Sequence, residues 1–243
     1  MVVTSVPHLR QGQRATLDAL LAGLHRAFGG NLFALYVYGA ITFPETDGVV
    51  DLDYHAILER PPTPVQAAEY EAARTRLGDE HAPWGADLDG WLILREQAGG
   101  AEPPVHLIAG ITDGSWALHR AHWLAGRCIV LWGPAPADLV TAASWAELAE
   151  ALRGELEFAR RSPHDAFAVL NACRVLHSFR AADAVQSKFG SAAWALRHLP
   201  AGHHPAIGAA LATYRGRATE ADSLALTRGR APLFSLVDSE LAS

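Results

Sequence analysis

The sequence has little lysine, cysteine and methionine. Of its 20 basic residues, 19 are arginines and one is Lys188, which makes that lysine a candidate for a chemical role. The two cysteines, Cys128 and Cys173, are far apart and form no CxxC pattern. This spacing excludes a disulfide framework and a zinc ribbon, and it fits a reducing compartment. The first residues show no apolar core followed by a small-residue cleavage site, so we expect a cytoplasmic protein without a signal peptide.

Long apolar runs and a high density of charge are also missing. The longest apolar runs, such as residues 32–38, are far shorter than the ~20 residues of a membrane helix, so we expect no membrane partner. Charged residues make up 19% of the 243 positions and hydrophobic residues 50%, which excludes a largely disordered chain. The formal net charge of −6 argues against a general phosphate-backbone binder, so we predict no nucleic-acid partner, and we expect a monomer.

Two kinds of pattern divide the sequence near residue 140. The first part holds an apolar helical pattern ended by Gly29 and Gly30, and then four strand-like segments, at 32–39, 49–58, 87–94 and 127–134. From Trp145 onward the apolar spacing is helical, in segments 145–161, 166–185, 188–199 and 205–216. The pattern predicts an α+β fold, with a mixed sheet and flanking helices in a domain over 1–140 and a helical bundle over 141–243.

Paired carboxylates are the first candidate for chemistry. Asp51 and Asp53 lie two residues apart on a predicted strand, which points both side chains to one face. Like charges side by side need a cation, and Mg²⁺ takes carboxylate oxygens together with substrate phosphates. Gly39 ends the preceding predicted strand and would let a phosphate approach the backbone N–H groups. The alternative is a pair of solvated aspartates at a strand end, because the DLD pattern recurs at 87–89.

Other polar residues allow two interpretations. His119 and His122 are three apart on a predicted helix, but no acidic or cysteine ligand flanks them at zinc spacing, so we interpret them as surface or core histidines. Several acids of the helical part either attract a polycationic substrate or form solvated helix faces; they are Glu155, Glu157, Asp165 and Asp183.

Several motifs together resemble one family. They are Gly39-Ala40 at a strand end, Asp51-x-Asp53, a third acid Asp89 in DLDGWLIL, GPAPADL at 133–139, VLNACRVLHSF at 169–179, QSKFGSAAWALRHLP at 186–200 and ATYRG at 212–216. In residue identity, order and spacing of these motifs, the chain from about residue 30 to 220 resembles the aminoglycoside nucleotidyltransferases that adenylylate streptomycin and spectinomycin. These enzymes belong to the DNA polymerase β-like nucleotidyltransferase superfamily.

The resemblance implies an activity and a role for each matching residue. Asp51 and Asp53 would bind Mg²⁺, and Asp89 would complete the metal site and act as general base. ATP would be the co-substrate, and a hydroxyl of a small, cationic molecule of the aminoglycoside type would receive AMP, in a cleft between the domains. The nucleotide would be bound by Gly39, Ala40, Arg174, Lys188 and Tyr214.

The sequence departs from the family pattern at three places. Ala40 and Val50 stand where the family has serines, and the stretch between Asp89 and Gly133 is short. Each lost neutral hydrogen bond would weaken nucleotide binding by about 0.5–1.5 kcal/mol. Two alternatives therefore stay open: adenylylation of a different acceptor, either a protein or another metabolite, and a degenerate nucleotide- or ligand-binding protein without turnover.

Overall fold

A computed structural model describes residues 9–46 and 51–242 of the chain. Its internal contacts divide the chain into two units, Met1–Ala143 and Ser144–Ser243, which we call unit 1 and unit 2. The sequence pattern placed this boundary at residue 140. Among the helices of the described residues, none is both long and apolar enough to cross a membrane.

Unit 1 is built around one mixed sheet. Its strands are β1 (Leu32–Tyr38), β2 (Leu52–Leu58), β3 (Leu88–Leu94) and β4 (Ile129–Trp132), in the order β3-β2-β1-β4. Strand β1 runs antiparallel to both β2 and β4, whereas β2 and β3 are parallel. The helices of the unit are α1 (Gln11–Phe28), α2 (Pro64–Glu80), α3 (Arg95–Ala98) and α4 (Trp116–Leu124). The predicted fold class, a mixed sheet with flanking helices followed by a helical part, is confirmed.

The alternation along β1 explains why both faces of the sheet are covered. Leu35 and Val37 point into a core cluster that contains buried leucines of α1 and α2. Tyr36 and Tyr38 point to the opposite face, where Trp116 is buried with them. Because successive strand residues face opposite sides, a fully apolar strand requires packing on both.

Strand β2 is shorter than the sequence pattern predicts. Its ladder begins at Leu52, whose N–H donates to the carbonyl of Asp87 at 3.0 Å. Asp51 therefore precedes the strand instead of lying within it, and its side chain is half-buried. Val50, where the family has a serine, lies outside the described residues.

Unit 2 is a helical bundle arranged around one central helix. Its helices are α5 (Trp145–Arg161), α6 (Asp165–Ala181), α7 (Lys188–His198), α8 (His204–Tyr214) and α9 (Glu220–Leu241). Helix α6 packs against each of the other four and buries most of its length. Helices α5, α7 and α9 begin at capping hydroxyls of Ser144, Ser187 and Thr219, which accept from backbone N–H groups of the first turn.

The ends of two helices differ from the prediction. Helix α6 stops at Ala181 because Ala182 is left-handed, with φ of 50°, and the carboxylate of Asp183 then accepts from the Val185 N–H. Residues 182–185, predicted as helix, are therefore not helical. Helix α9 lies beyond all predicted helices, and it contains Pro232.

Candidate functional site

Two carboxylates meet on neighbouring strands of unit 1. In the parallel ladder of β2 and β3, Asp53 lies directly beside Asp89. Asp53 is half-buried, whereas Asp89 is exposed to solvent, and Asp51 lies two residues ahead of Asp53. The hydrogen-bond register of the sheet thus brings the two predicted metal ligands Asp53 and Asp89 together.

Gly39 lies against the carboxylate of Asp53. Tyr38, the last residue of β1, pairs with Asp53 in the antiparallel ladder, and Gly39 follows with φ of +74°. A Cβ atom at residue 39 would collide with Oδ2 of Asp53. Only glycine fits here, because both the backbone conformation and the close carboxylate exclude a side chain.

The turn after Gly39 is held by side-chain hydroxyls. The hydroxyl of Thr42 donates to the Gly39 carbonyl at 2.8 Å, and the hydroxyl of Thr46 contacts the carbonyl oxygens of Ala40 and Phe43. These contacts fix the backbone next to Asp53. Ala40, which replaces a family serine, lies in this turn.

The electrostatics of the site combine partial burial with charges of both signs. Burial raises the pKa of the Tyr38 phenol well above its usual value, and the carboxylates of Asp53, Asp113 and Asp89 raise it further. The pKa of Asp89 is also raised, first because the surrounding protein partly desolvates its carboxyl. The charges of His119, Arg74 and His106 oppose that shift, whereas the charge of Asp113 adds to it. Burial therefore outweighs the neighbouring cations at Asp89.

A cluster that the sequence analysis missed adjoins these acids. Asp113 Oδ2 lies 3.2 Å from His55 Nε2 and 2.9 Å from His119 Nδ1, and its Oδ1 accepts from the Ser115 N–H at 3.0 Å. Burial lowers the pKa of His55 to about 4, and the hydrogen bond to the Asp113 carboxylate offsets only part of that shift. The two histidines hold the pKa of Asp113 well below its usual range despite burial. We name this set the His55–Asp113–His119 cluster.

His119 and His122, which the sequence places three residues apart, have different hydrogen-bond partners. His122 Nδ1 bonds to the Leu118 carbonyl of its own helix at 2.8 Å, whereas His119 turns to Asp113. The loop residue Asp113 gave no signal in the sequence. The only available signal for His55 was its position two residues after Asp53, on the same face of β2.

Unit 2 brings Lys188 and Tyr214 together. The ammonium of Lys188 lies 4.6 Å from the centre of the Phe167 ring and 6.0 Å from the Tyr214 ring. Phe189 packs edge-on against Tyr214, with ring centres 6.0 Å apart. A lysine held against aromatic rings keeps its charge while part of its stem is covered.

Arg174, the third predicted phosphate contact, is engaged by an acid. Its Nη2 lies 2.6 Å from Oε2 of Glu155, and both side chains are 18% exposed. Asn171 also donates to Glu155 Oε2 at 3.2 Å. Nε of Arg174 is buried and has no hydrogen-bond partner within residues 9–46 and 51–242.

Acids predicted to face either a cationic substrate or water also have partners. Asp165 is paired with Arg230, Glu157 lies 3.2 Å from Arg160, and Asp183 bonds to backbone and to Gln186. These acids contribute to the structure of unit 2 itself.

Comparisons with known proteins agree with this description. Residues 131–230 match the family model described as the aminoglycoside adenylyltransferase C-terminal domain. The structure is similar to that of spectinomycin adenyltransferase AAD(9) from Enterococcus faecialis, solved with ATP and spectinomycin. The TM-score is 0.69 at 13% identity, over 90% of this chain and 98% of the other. A comparison of the sequence with curated protein sequences found no match.

The fold and the family match define the class of the protein. The mixed sheet with this helical unit, together with the family match, indicates a nucleotidyltransferase. Residues 131–230 are similar to the C-terminal domain of the aminoglycoside adenylyltransferases, which bears out the resemblance found in the sequence.

Proposed function

We propose that this enzyme transfers AMP from ATP to a hydroxyl group of a small cationic molecule of the aminoglycoside type. The observation that carries the proposal is the side-by-side placement of Asp53 and Asp89, with Gly39 packed against Asp53. Two adjacent carboxylates beside a backbone without a side chain are suited to a metal-bound phosphate chain. The similar enzyme was solved with ATP and spectinomycin, which supports both substrates.

Mg²⁺ fits the chemistry of the donors. Asp51, Asp53 and Asp89 offer hard carboxylate oxygens, which are the ligands that Mg²⁺ prefers. These three residues would hold the ion. When bound, Mg²⁺ neutralises phosphate charge and stabilises the attacking and leaving oxygens of an in-line displacement.

The residues of the chain then have separate roles in the transfer. Asp89 takes the proton of the acceptor hydroxyl while that oxygen forms a bond to the α-phosphorus. The bond from the α-phosphorus to the bridging oxygen breaks, and pyrophosphate leaves with the bonding electrons. Lys188 and Arg174 stabilise the negative charge on the departing pyrophosphate, and Tyr214 contacts the phosphates.

The acceptor is proposed to be a cation. The chain carries a formal net charge of −6, which attracts polycationic molecules over long distances. The short stretch between Asp89 and Gly133 distinguishes this chain from the antibiotic-modifying enzymes it resembles, so its acceptor can differ from theirs in structure while sharing their charge.

The test is pyrophosphate release from ATP and Mg²⁺ with a panel of aminoglycosides that includes spectinomycin and streptomycin. We expect turnover with at least one member and a loss of at least about 1,000-fold in Asp53→Asn. Asp79→Asn, a change in α2 away from the paired carboxylates, is the matched control and should retain the rate. Equal rates in Asp53→Asn and in the unmodified protein would contradict the proposal.

One observation favours the second candidate, a nucleotide-binding protein without turnover. Ala40 cannot supply the hydroxyl of the family serine beside Asp53. Under our proposal Ala40→Ser tightens ATP binding by up to about tenfold and turnover persists in both forms. ATP binding measured by calorimetry, without pyrophosphate release from any acceptor in either form, would favour the binding protein.

A further inference from the structure

The His55–Asp113–His119 cluster joins three parts of unit 1. His55 comes from β2, Asp113 from the loop before α4, and His119 from α4 itself. One ligand atom from each residue lies within 4.8 Å of the other two. The tertiary fold, and not closeness in the sequence, therefore brings these three ligand atoms together.

The distances in the cluster suit a small tetrahedral ion. Nε2 of His55 and Nδ1 of His119 lie 3.2 and 2.9 Å from Oδ2 of Asp113. Zinc with bonds of 2.0–2.1 Å holds its ligand atoms roughly 3.3 Å apart. The two imidazole nitrogens lie within 4.8 Å of each other.

The charge of Asp113 supports a cation at this place. The carboxylate is 2% exposed, and it accepts hydrogen bonds from two imidazoles and one backbone N–H. Asp53 and Asp89 add negative charge around the neighbouring Tyr38. A buried carboxylate is costly unless a positive charge offsets it.

The surroundings provide both a dry shell and an approach from solvent. The His55 ring lies 5.1 Å from the rings of Tyr38 and Trp123 and 5.6 Å from that of Trp116. His55 is fully buried, whereas 17% of the His119 side chain is exposed. An apolar shell of this kind strengthens metal–ligand bonds, and the exposed side leaves a coordination position for water.

We propose that His55, Asp113 and His119 form a binding site for one borderline first-row dication of the zinc class, next to the carboxylates of the proposed magnesium site. Two imidazoles and one carboxylate select such an ion over Mg²⁺, which prefers oxygen ligands alone. The ion ties β2, the loop before α4 and α4 together. This proposal does not depend on the transfer reaction.

The test is a titration of the chelator-treated full chain with Zn²⁺ in competition with a chromophoric chelator. We expect one tight equivalent with a Kd below about 1 μM. Millimolar Mg²⁺ should leave that Kd unchanged, and Co²⁺ in the same site should absorb visible light as a tetrahedral ion. Zinc at about 100 times Kd should raise the melting temperature by about 5–10 °C.

The variants distinguish this site from the other histidines. His119→Gln should bind Zn²⁺ at least about 100-fold more weakly, and Asp113→Asn provides a second test if that variant does not fold. His122→Gln, one turn further along α4 and outside the cluster, should bind as the unmodified chain does. Absence of a tight equivalent, displacement of zinc by Mg²⁺, or unchanged affinity in the folded variants of His119 and Asp113 would overturn the proposal.

Discussion

The two units position their candidate site residues by different means. In unit 1 the backbone ladder places Asp53 beside Asp89, and Gly39 fits against Asp53 because it has no side chain. In unit 2 Lys188 and Tyr214 come from different helices, and their placement depends on long side chains and aromatic contacts. Strand pairing fixes the position of a residue more tightly than contacts between flexible side chains do. Changes in unit 1 should therefore abolish activity, whereas changes in unit 2 should weaken it by degrees.

The largest effect is expected at Asp89. Asp89→Asn removes the proposed base and a metal ligand, so the rate of AMP transfer should fall at least about 1,000-fold. Asp87→Asn is the matched control, because Asp87 is exposed. The Leu52 N–H donates to its backbone carbonyl, which the substitution leaves in place. Equal losses in both variants, measured by steady-state kinetics, would show that position 89 has no special role.

Gly39→Ala tests whether the backbone, and not only the acids, builds the site. The new Cβ meets Oδ2 of Asp53, so we expect at least about 100-fold loss of activity. Gly126→Ala has a similar φ of +78° and nothing within 4 Å of the added Cβ. The positive φ alone should cost each variant about 1–2 kcal/mol of unfolding free energy, and only Gly39→Ala should lose activity. Full activity in Gly39→Ala would contradict the assignment.

Acid should destabilise unit 1 through His55. Its pKa is about 4 in the folded chain against 6.5 in the unfolded one, so the unfolded chain binds the extra proton first. The contribution of His55 to the unfolding free energy is then most favourable above pH 6.5 and falls by about 3 kcal/mol as the pH drops to 4. Urea unfolding of the chelator-treated chain at several pH values measures this slope. His55→Gln should make the unfolding free energy less dependent on pH. An equal pH dependence in that variant would contradict the assignment to His55.

A smaller effect is expected at Lys188 in unit 2. Lys188→Ala should raise the KM for ATP about 10- to 100-fold, because a hydrogen bond to a charged phosphate contributes about 1.5–3 kcal/mol. Lys188→Arg should recover part of the loss, and Arg197→Ala, an exposed cation of the same helix, should have no effect. A drop in kcat at unchanged KM would mean that the lysine does not bind the ground-state nucleotide.

The sequence predicted most elements of the fold because their signals are local. Apolar spacing and terminal glycines marked α1, the four strands and the helices α5 to α8, and the fold class followed. Helix α9 was missed, although its buried residues have helical spacing; they are Leu226, Leu233, Phe234 and Val237. Pro232 and many polar residues interrupt the pattern there, and packing on α6 and α8 stabilises the helix.

The site was predictable where it follows a motif and not where it depends on distant contacts. Asp53, Asp89 and Gly39 belong to patterns read along single strands, and the sheet brings them together. Asp113 reaches His55 across 58 positions of sequence, from a loop without a motif, so no local pattern could pair them. The ion pair of Arg174 with Glu155 likewise depends on the packing of α5 on α6.

The most direct test of the account is the mass of the acceptor after incubation with ATP, Mg²⁺ and the enzyme. We predict that spectinomycin, streptomycin or a related cationic acceptor gains one AMP ester with the unmodified chain and remains unmodified with Asp53→Asn and with Asp89→Asn. The same product formed at the same rate by either aspartate variant would contradict the claim that the paired carboxylates of β2 and β3 are the catalytic centre.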